Sequence, residues 1–126
     1  MPKKREKRGG RAKKELPESP VAAAVQLIGT KWKILLLCEL MEGPKRFTEL
    51  KTATGISQKV LTETLRALEG DALVTREEFA EVPPRVVYSL TELGETLRPV
   101  IASMQQWSTE YRAQQKGRRG RRRLFA

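Results

Sequence analysis

A chain of 126 residues, 39% hydrophobic and 32% charged, holds apolar material for one modest core. It has no histidine and one cysteine, Cys38, which excludes a histidine general base, a Ser-His-Asp or Cys-His nucleophile, a His/Cys zinc site and an intrachain disulfide. The 25 Lys+Arg against 15 Asp+Glu leave a formal +10, so an anionic partner is expected.

That charge sits at the ends. Residues 1–14 hold eight cations against Glu6, a net +7. Residues 116–126 hold Lys116, Arg118, Arg119, Arg121, Arg122 and Arg123, a net +6, which leaves −3 for residues 15–115. Both ends are poor in large apolar groups and rich in like charge, so neither offsets its own ordering entropy. The expected organisation is a basic disordered tail over 1–15, a folded domain over 16–115 and a second basic disordered tail over 116–126. The apolar run Val21 to Val25 is too short for a secretory signal, and Ile34 to Cys38 is far below the ~18 residues of a membrane span. We therefore expect a cytoplasmic, nucleoid-associated protein with no membrane partner.

In chain order, Ser19-Pro20 reads as an N-cap and a first-turn proline, opening a short helix to about Ile28 that Gly29 ends. Thr30 caps a second helix, about Lys31 to Met41, apolar nearly all round and so central. Glu42-Gly43-Pro44 stops it. Phe47 and Leu50 frame a third, short helix capped by Thr48 and ending before Gly55. Ser57 caps a fourth, Gln58 to about Glu69, with Leu61, Leu65 and Leu68 on one face. The period then changes to two. Leu73 to Ala80 and the Val86 to Leu90 stretch make a two-stranded hairpin around the stiff Val82-Pro83-Pro84-Arg85 turn. Thr91 caps a last helix to about Gln114. Leu93, Leu97, Val100, Met104, Trp107 and Tyr111 form its seam, and Pro99 should bend it.

Helix, glycine turn, helix and hairpin is the order of a winged helix-turn-helix. The fold class expected is mainly α with a small β-hairpin wing. A B-DNA major groove admits one helix, and only there do the base edges carry a unique donor and acceptor pattern. Ser57, Gln58, Lys59, Thr62 and Arg66 are residue types that read it, Lys45 and Arg46 precede the bracing helix where phosphates would pass, and Arg85 sits at the wing tip. The rival from pattern alone is an architectural or non-specific nucleic-acid-binding protein whose basic tails dominate. Arg119-Gly120-Arg121 resembles a minor-groove element but lacks flanking prolines, so it reads as phosphate binding. Cys38 reads as a small buried hydrophobe, and Trp32 and Trp107 as core aromatics.

The ordered set Ile28-Gly29-Thr30-Lys31-Trp32-Lys33, Lys45-Arg46-Phe47-Thr48-Glu49-Leu50, Gly55-Ile56-Ser57-Gln58-Lys59-Val60-Leu61-Thr62 and Glu81 through Gly94 resembles the HxlR-type regulators of bacterial transcription. The resemblance spans Ser19 to Gln114. It implies a homodimer that binds double-stranded operator DNA, joined through the first and last helices: Val21, Val25 and Ile28 with Leu97, Val100, Met104, Trp107 and Tyr111. No carboxylate pair is spaced convincingly for catalysis, so no enzymatic activity, cofactor or metal is expected; a small-molecule effector is left open. Several family members that sense oxidants carry a cysteine immediately before the Pro-Val that opens the first helix. Here that position is Ser19, and a hydroxyl forms no disulfide.

Overall fold

The computed structural model describes residues 15–125, with side chains as far as Arg118. Two compact units divide at Glu95. In the first, α1 (Pro20–Ile28) starts on Ser19, whose Oγ accepts from the Ala22 N–H at 3.2 Å. Next come α2 (Lys31–Leu40), capped by Thr30, then β1 (Lys45–Arg46) and α3 (Phe47–Thr54). They are followed by α4 (Gln58–Gly70), β2 (Val74–Phe79), β3 (Arg85–Leu90) and the short α5 (Glu92–Glu95). The sheet is antiparallel in the order β1-β3-β2. Lys45 faces Tyr88, and β2 and β3 run in register from Val74 opposite Leu90 to Phe79 opposite Arg85.

The core is mostly leucine. Leu36, Leu37 and Leu40 of α2, Leu50 of α3 and Leu61, Leu65 and Leu68 of α4 are buried, joined by Ile28, Ile56, Leu73, Val74 and Tyr88. Helix α2 packs on α3, α4 and β3, and α4 also packs on β2. Burying an aliphatic side chain of this size contributes about 1.5–3 kcal/mol, so the α2–α3–α4 leucines supply much of the driving force. Apolar all round as it is, α2 is not buried all round: Leu35 is exposed, and the buried polar residue is Lys33. Its N–H bonds Thr30 Oγ1 and its ammonium lies 3.4 Å from the Gln26 carbonyl, where α1 ends.

Three elements differ from the sequence expectation. The hairpin gains a third strand, because Lys45 and Arg46 pair with β3 before the chain turns into α3. Helix α3 is therefore capped at Arg46, not Thr48; its N–H donates to the Glu49 carboxylate at 2.8 Å. An arginine has no acceptor, so this is one half of a capping box. Thirdly, the long last helix is two. Thr91 caps only α5, its Oγ1 accepting from the Gly94 N–H and donating to the Ala72 carbonyl. Gly94 allows the close approach of the Leu73 carbonyl, which a Cβ there would strike.

The second unit is α6 (Arg98–Phe125). Pro99 stands in its first turn, where a missing N–H costs nothing, instead of bending a continuous helix. Leu93 is thus separated from the seam it was expected to begin. The helix also continues past Gln114 through the basic run expected to be disordered. Arg and Lys are good helix formers, and cations favour a helix C-terminus. No single helix among the described residues is long and apolar enough to cross a membrane.

Candidate nucleic-acid interface

The turn between α3 and α4 is Gly55-Ile56-Ser57. Gly55 adopts φ +73° and its N–H bonds the Lys51 carbonyl at 2.9 Å, closing α3 with a left-handed cap. Ile56 then anchors the turn in the core, 2% exposed. Ser57 Oγ accepts from the Val60 N–H at 3.2 Å and starts α4. Because Leu61, Leu65 and Leu68 face inward, the opposite side of α4 is turned outward.

On that outer side Lys59, Glu63 and Arg66 are exposed; Gln58, exposed in the first turn, and half-buried Thr62 lie toward its edge. At about 100° per residue, Gln58, Thr62, Arg66 and Lys59 occupy an arc of about 100°. Neither Lys59 nor Arg66 forms an ion pair among the described residues. Their donors are therefore available to base edges or phosphates. Sequence reasoning missed Lys51, exposed on α3 one turn before Gly55 and likewise free of ion pairs among the described residues. Its signal was a cation on the wet side of the bracing helix.

The other expected contacts are placed differently. The Lys45 ammonium lies 2.9 Å from Glu39 and 2.8 Å from Glu42, and hydrogen bonds to Glu42 and Glu39 push its pKa up to about 12. Its charge is spent at the foot of the sheet. Arg46, its neighbour, is exposed. Arg85 begins β3 and donates through Nε to both Glu81 carboxylate oxygens at 3.2 Å and through Nη2 to one at 2.7 Å. Its guanidinium also lies 4.1 Å from the centre of the Phe79 ring. That pairing holds the Glu81 carboxyl below its ordinary range and the arginine above its own. The wing tip itself, Val82-Pro83-Pro84, is uncharged, and Val82 is fully exposed. The expected cationic tip is therefore apolar. From Arg76 to Arg85 the wing carries two arginines against Glu77, Glu78 and Glu81.

Of the expected interface residues, Val21, Val25, Val100, Met104, Trp107 and Tyr111 are exposed, Leu97 is half-buried and Ile28 is in the core. Trp107 is no core aromatic: its ring stacks on Tyr111 with centroids 5.3 Å apart. Trp32 is half-buried beneath the Lys31 ammonium. Cys38 is half-buried, and desolvation, then the Glu39 charge, raise its thiol pKa. Among the described residues no group of His, Cys, Asp or Glu could hold a metal. The Arg119-Gly120-Arg121 side chains and residues 1–14 lie outside what the structure describes.

Residues 27–116 match the family described as HxlR-like helix-turn-helix. The uncharacterized HTH-type transcriptional regulator YdeP of Bacillus subtilis (strain 168) is 48% identical over 94 residues, 74% of this chain and 73% of its own. The HTH-type transcriptional regulator YodB of the same organism is 42% identical over 90 residues, 71% and 80% of the two chains. Among solved structures, the redox regulator HypR in its reduced form is similar at TM-score 0.71 and 44% identity, covering 75% of this chain and 94% of that one. The reduced form of YodB gives 0.68 and 39%, over 75% and 95%. The match over most of the chain in sequence and in fold shows that this chain belongs to the HxlR-like helix-turn-helix family of transcriptional regulators, which are not enzymes.

Proposed function

We propose that this regulator binds double-stranded operator DNA as a homodimer, with α4 in the major groove. The observation that carries the reading is the outer face of α4. Gln58, Lys59 and Arg66 are solvent-exposed and aligned with Thr62, while Leu61, Leu65 and Leu68 fix the helix rotation from behind. Gln bonds adenine bidentately, and Lys or Arg bonds guanine O6 and N7. Ser57 at the cap, Lys51 on α3 and exposed Arg46 would take phosphates on the flank. The protein would work in the cytoplasm, at the nucleoid.

Support for a homodimer comes from exposed apolar side chains on two helices. Val21 and Val25 of α1 are 74% and 60% exposed, and Trp107 and Tyr111 of α6 are 66% and 51% exposed. Large aromatics left in water at helical spacing mark an association surface. Met104→Asp should turn the dimer into monomer by sedimentation at micromolar concentration. A wild-type monomer there contradicts the reading.

The recognition helix is tested by anisotropy titration of a selected operator with Gln58→Ala and Arg66→Ala. Each should weaken binding by about 1–3 kcal/mol and relax preference at one base pair per half-site. Unchanged affinity and preference in both would refute it. The architectural alternative, a sequence-independent coat, draws on the +7 and +6 ends beside a middle of −3.

A further inference from the structure

The wing of a helix-turn-helix regulator is the part expected to grip the DNA backbone, yet here its arginine is held by a carboxylate of the same loop. Glu81 and Arg85 meet in a side-on pair of three hydrogen bonds, the closest at 2.7 Å. Planar forks of this kind are the best-defined ion pairs in proteins. Phe79, directly opposite Arg85 in the ladder, places its ring against the guanidinium at 4.1 Å. The arginine is thus fixed on two sides, and its side chain is only 28% exposed. Across the sheet, Arg46 stands opposite Val87, and Val87 stands opposite Glu77. Glu77 acts on the Arg85 charge and Arg46 on that of Glu81. This sheet face therefore interleaves two cations with two anions and offers no net charge to a polyanion.

From this geometry we infer that Glu81 limits non-specific DNA affinity: it neutralises Arg85 and keeps the wing from adding sequence-independent phosphate contacts. The inference rests on the DNA-binding reading above. Phosphate contacts position a protein but read no bases. A wing arginine free to bond phosphate would strengthen operator and non-operator DNA alike, while a wing closed on its own carboxylate leaves discrimination to α4. Arg85 then acts as a positioning residue. Between Phe79 and Glu81 it holds the uncharged Val82-Pro83-Pro84 tip outward, where Val82 is fully exposed.

The test uses the full chain, a selected operator and a mixed-sequence duplex of the same length, titrated at about 50 and about 200 mM salt. In Glu81→Gln the amide oxygen still accepts from the guanidinium, so the loop keeps its shape and loses its anion. Glu81→Ala repeats the test without any acceptor. Both variants should bind the mixed duplex more tightly at low salt. The log–log salt slope should steepen by about 0.9 for each protomer bound, so the gain should shrink by about 3.5-fold per protomer between the two salts. The ratio of operator to mixed-duplex affinity should stay unchanged. The gain should vanish in Glu81→Gln/Arg85→Gln. Three results would overturn the inference: no gain in either single variant, a gain that survives in the double variant, or weaker binding with a flatter slope in Arg85→Gln alone. The last would mean that Arg85 already holds phosphate in the wild type. Wild-type protein that binds neither duplex refutes the DNA-binding reading itself, and Gln58→Ala and Arg66→Ala measured alongside report on α4 separately.

Discussion

At the residue scale, two lysines with the same composition value differ in what they can do. Lys45 is held between Glu39 and Glu42, whereas Lys59 projects from the outer face of α4 and forms no ion pair among the described residues. Sequence alone treats both as cations in front of DNA. Only the strand pairing that brings Lys45 opposite Tyr88, on the sheet face beside the end of α2, decides between them. Thiol chemistry is decided at the same scale. Ser19 spends its hydroxyl on the Ala22 N–H and carries no redox chemistry, and the half-buried Cys38 thiol is disfavoured as a thiolate. Mild oxidant should therefore leave duplex affinity unchanged in wild type and in Cys38→Ser, measured by gel shift with and without reductant. Release on oxidation that disappears in Cys38→Ser would reverse this.

At the element scale, the turn before α4 aims the proposed interface. Gly55 takes a left-handed conformation with open space where a Cβ would go, so the cost of Gly55→Ala is conformational and not a clash. An alanine there should lower stability by about 1 kcal/mol in a denaturant melt, the backbone strain being partly offset by a stiffer unfolded chain. An unchanged midpoint would mean the turn is not strained by a side chain. This element was legible in the sequence because Gly, a buried Ile and a capping Ser each have one structural use at those positions. The inward leucines of α4 were legible from their spacing for the same reason, and with them the outward face. What escaped was set by pairing across distance. Two residues cannot show a strand's period, so β1 was invisible until β3 lay beside it. The spacing of Leu93 and Leu97 continues the α6 pattern numerically, but the chain leaves the helix after Glu95, turns at Thr96 and Leu97, and restarts at Arg98. The Arg85–Glu81 pair needed the loop geometry, because four residues apart in a turn carries no fixed facing as it does in a helix.

At the scale of the whole molecule, the proposed function separates charge from sequence reading along the chain. The folded middle is formally −3, so under the proposed function long-range attraction to DNA comes from residues 1–14 and 116–126. The helix reaching Phe125 advances about 1.5 Å per residue, less than half of what an extended segment covers. Deleting residues 1–14 and 116–126 should weaken binding to every duplex by similar factors and flatten the salt dependence, by about 0.9 in slope per lost phosphate contact, with operator preference retained. Loss of preference with non-specific affinity kept would mean that the ends read bases.

The central claim is that α4 reads sequence from a two-fold dimer, and selection of bound duplexes from a random pool tests it most directly. The account predicts an enriched inverted repeat, with half-sites about 10 base pairs or a multiple apart, that loses one defined position per half-site when the selection is repeated with Arg66→Ala. A pool that stays random, or an enriched motif that Gln58→Ala and Arg66→Ala both leave untouched, would contradict it.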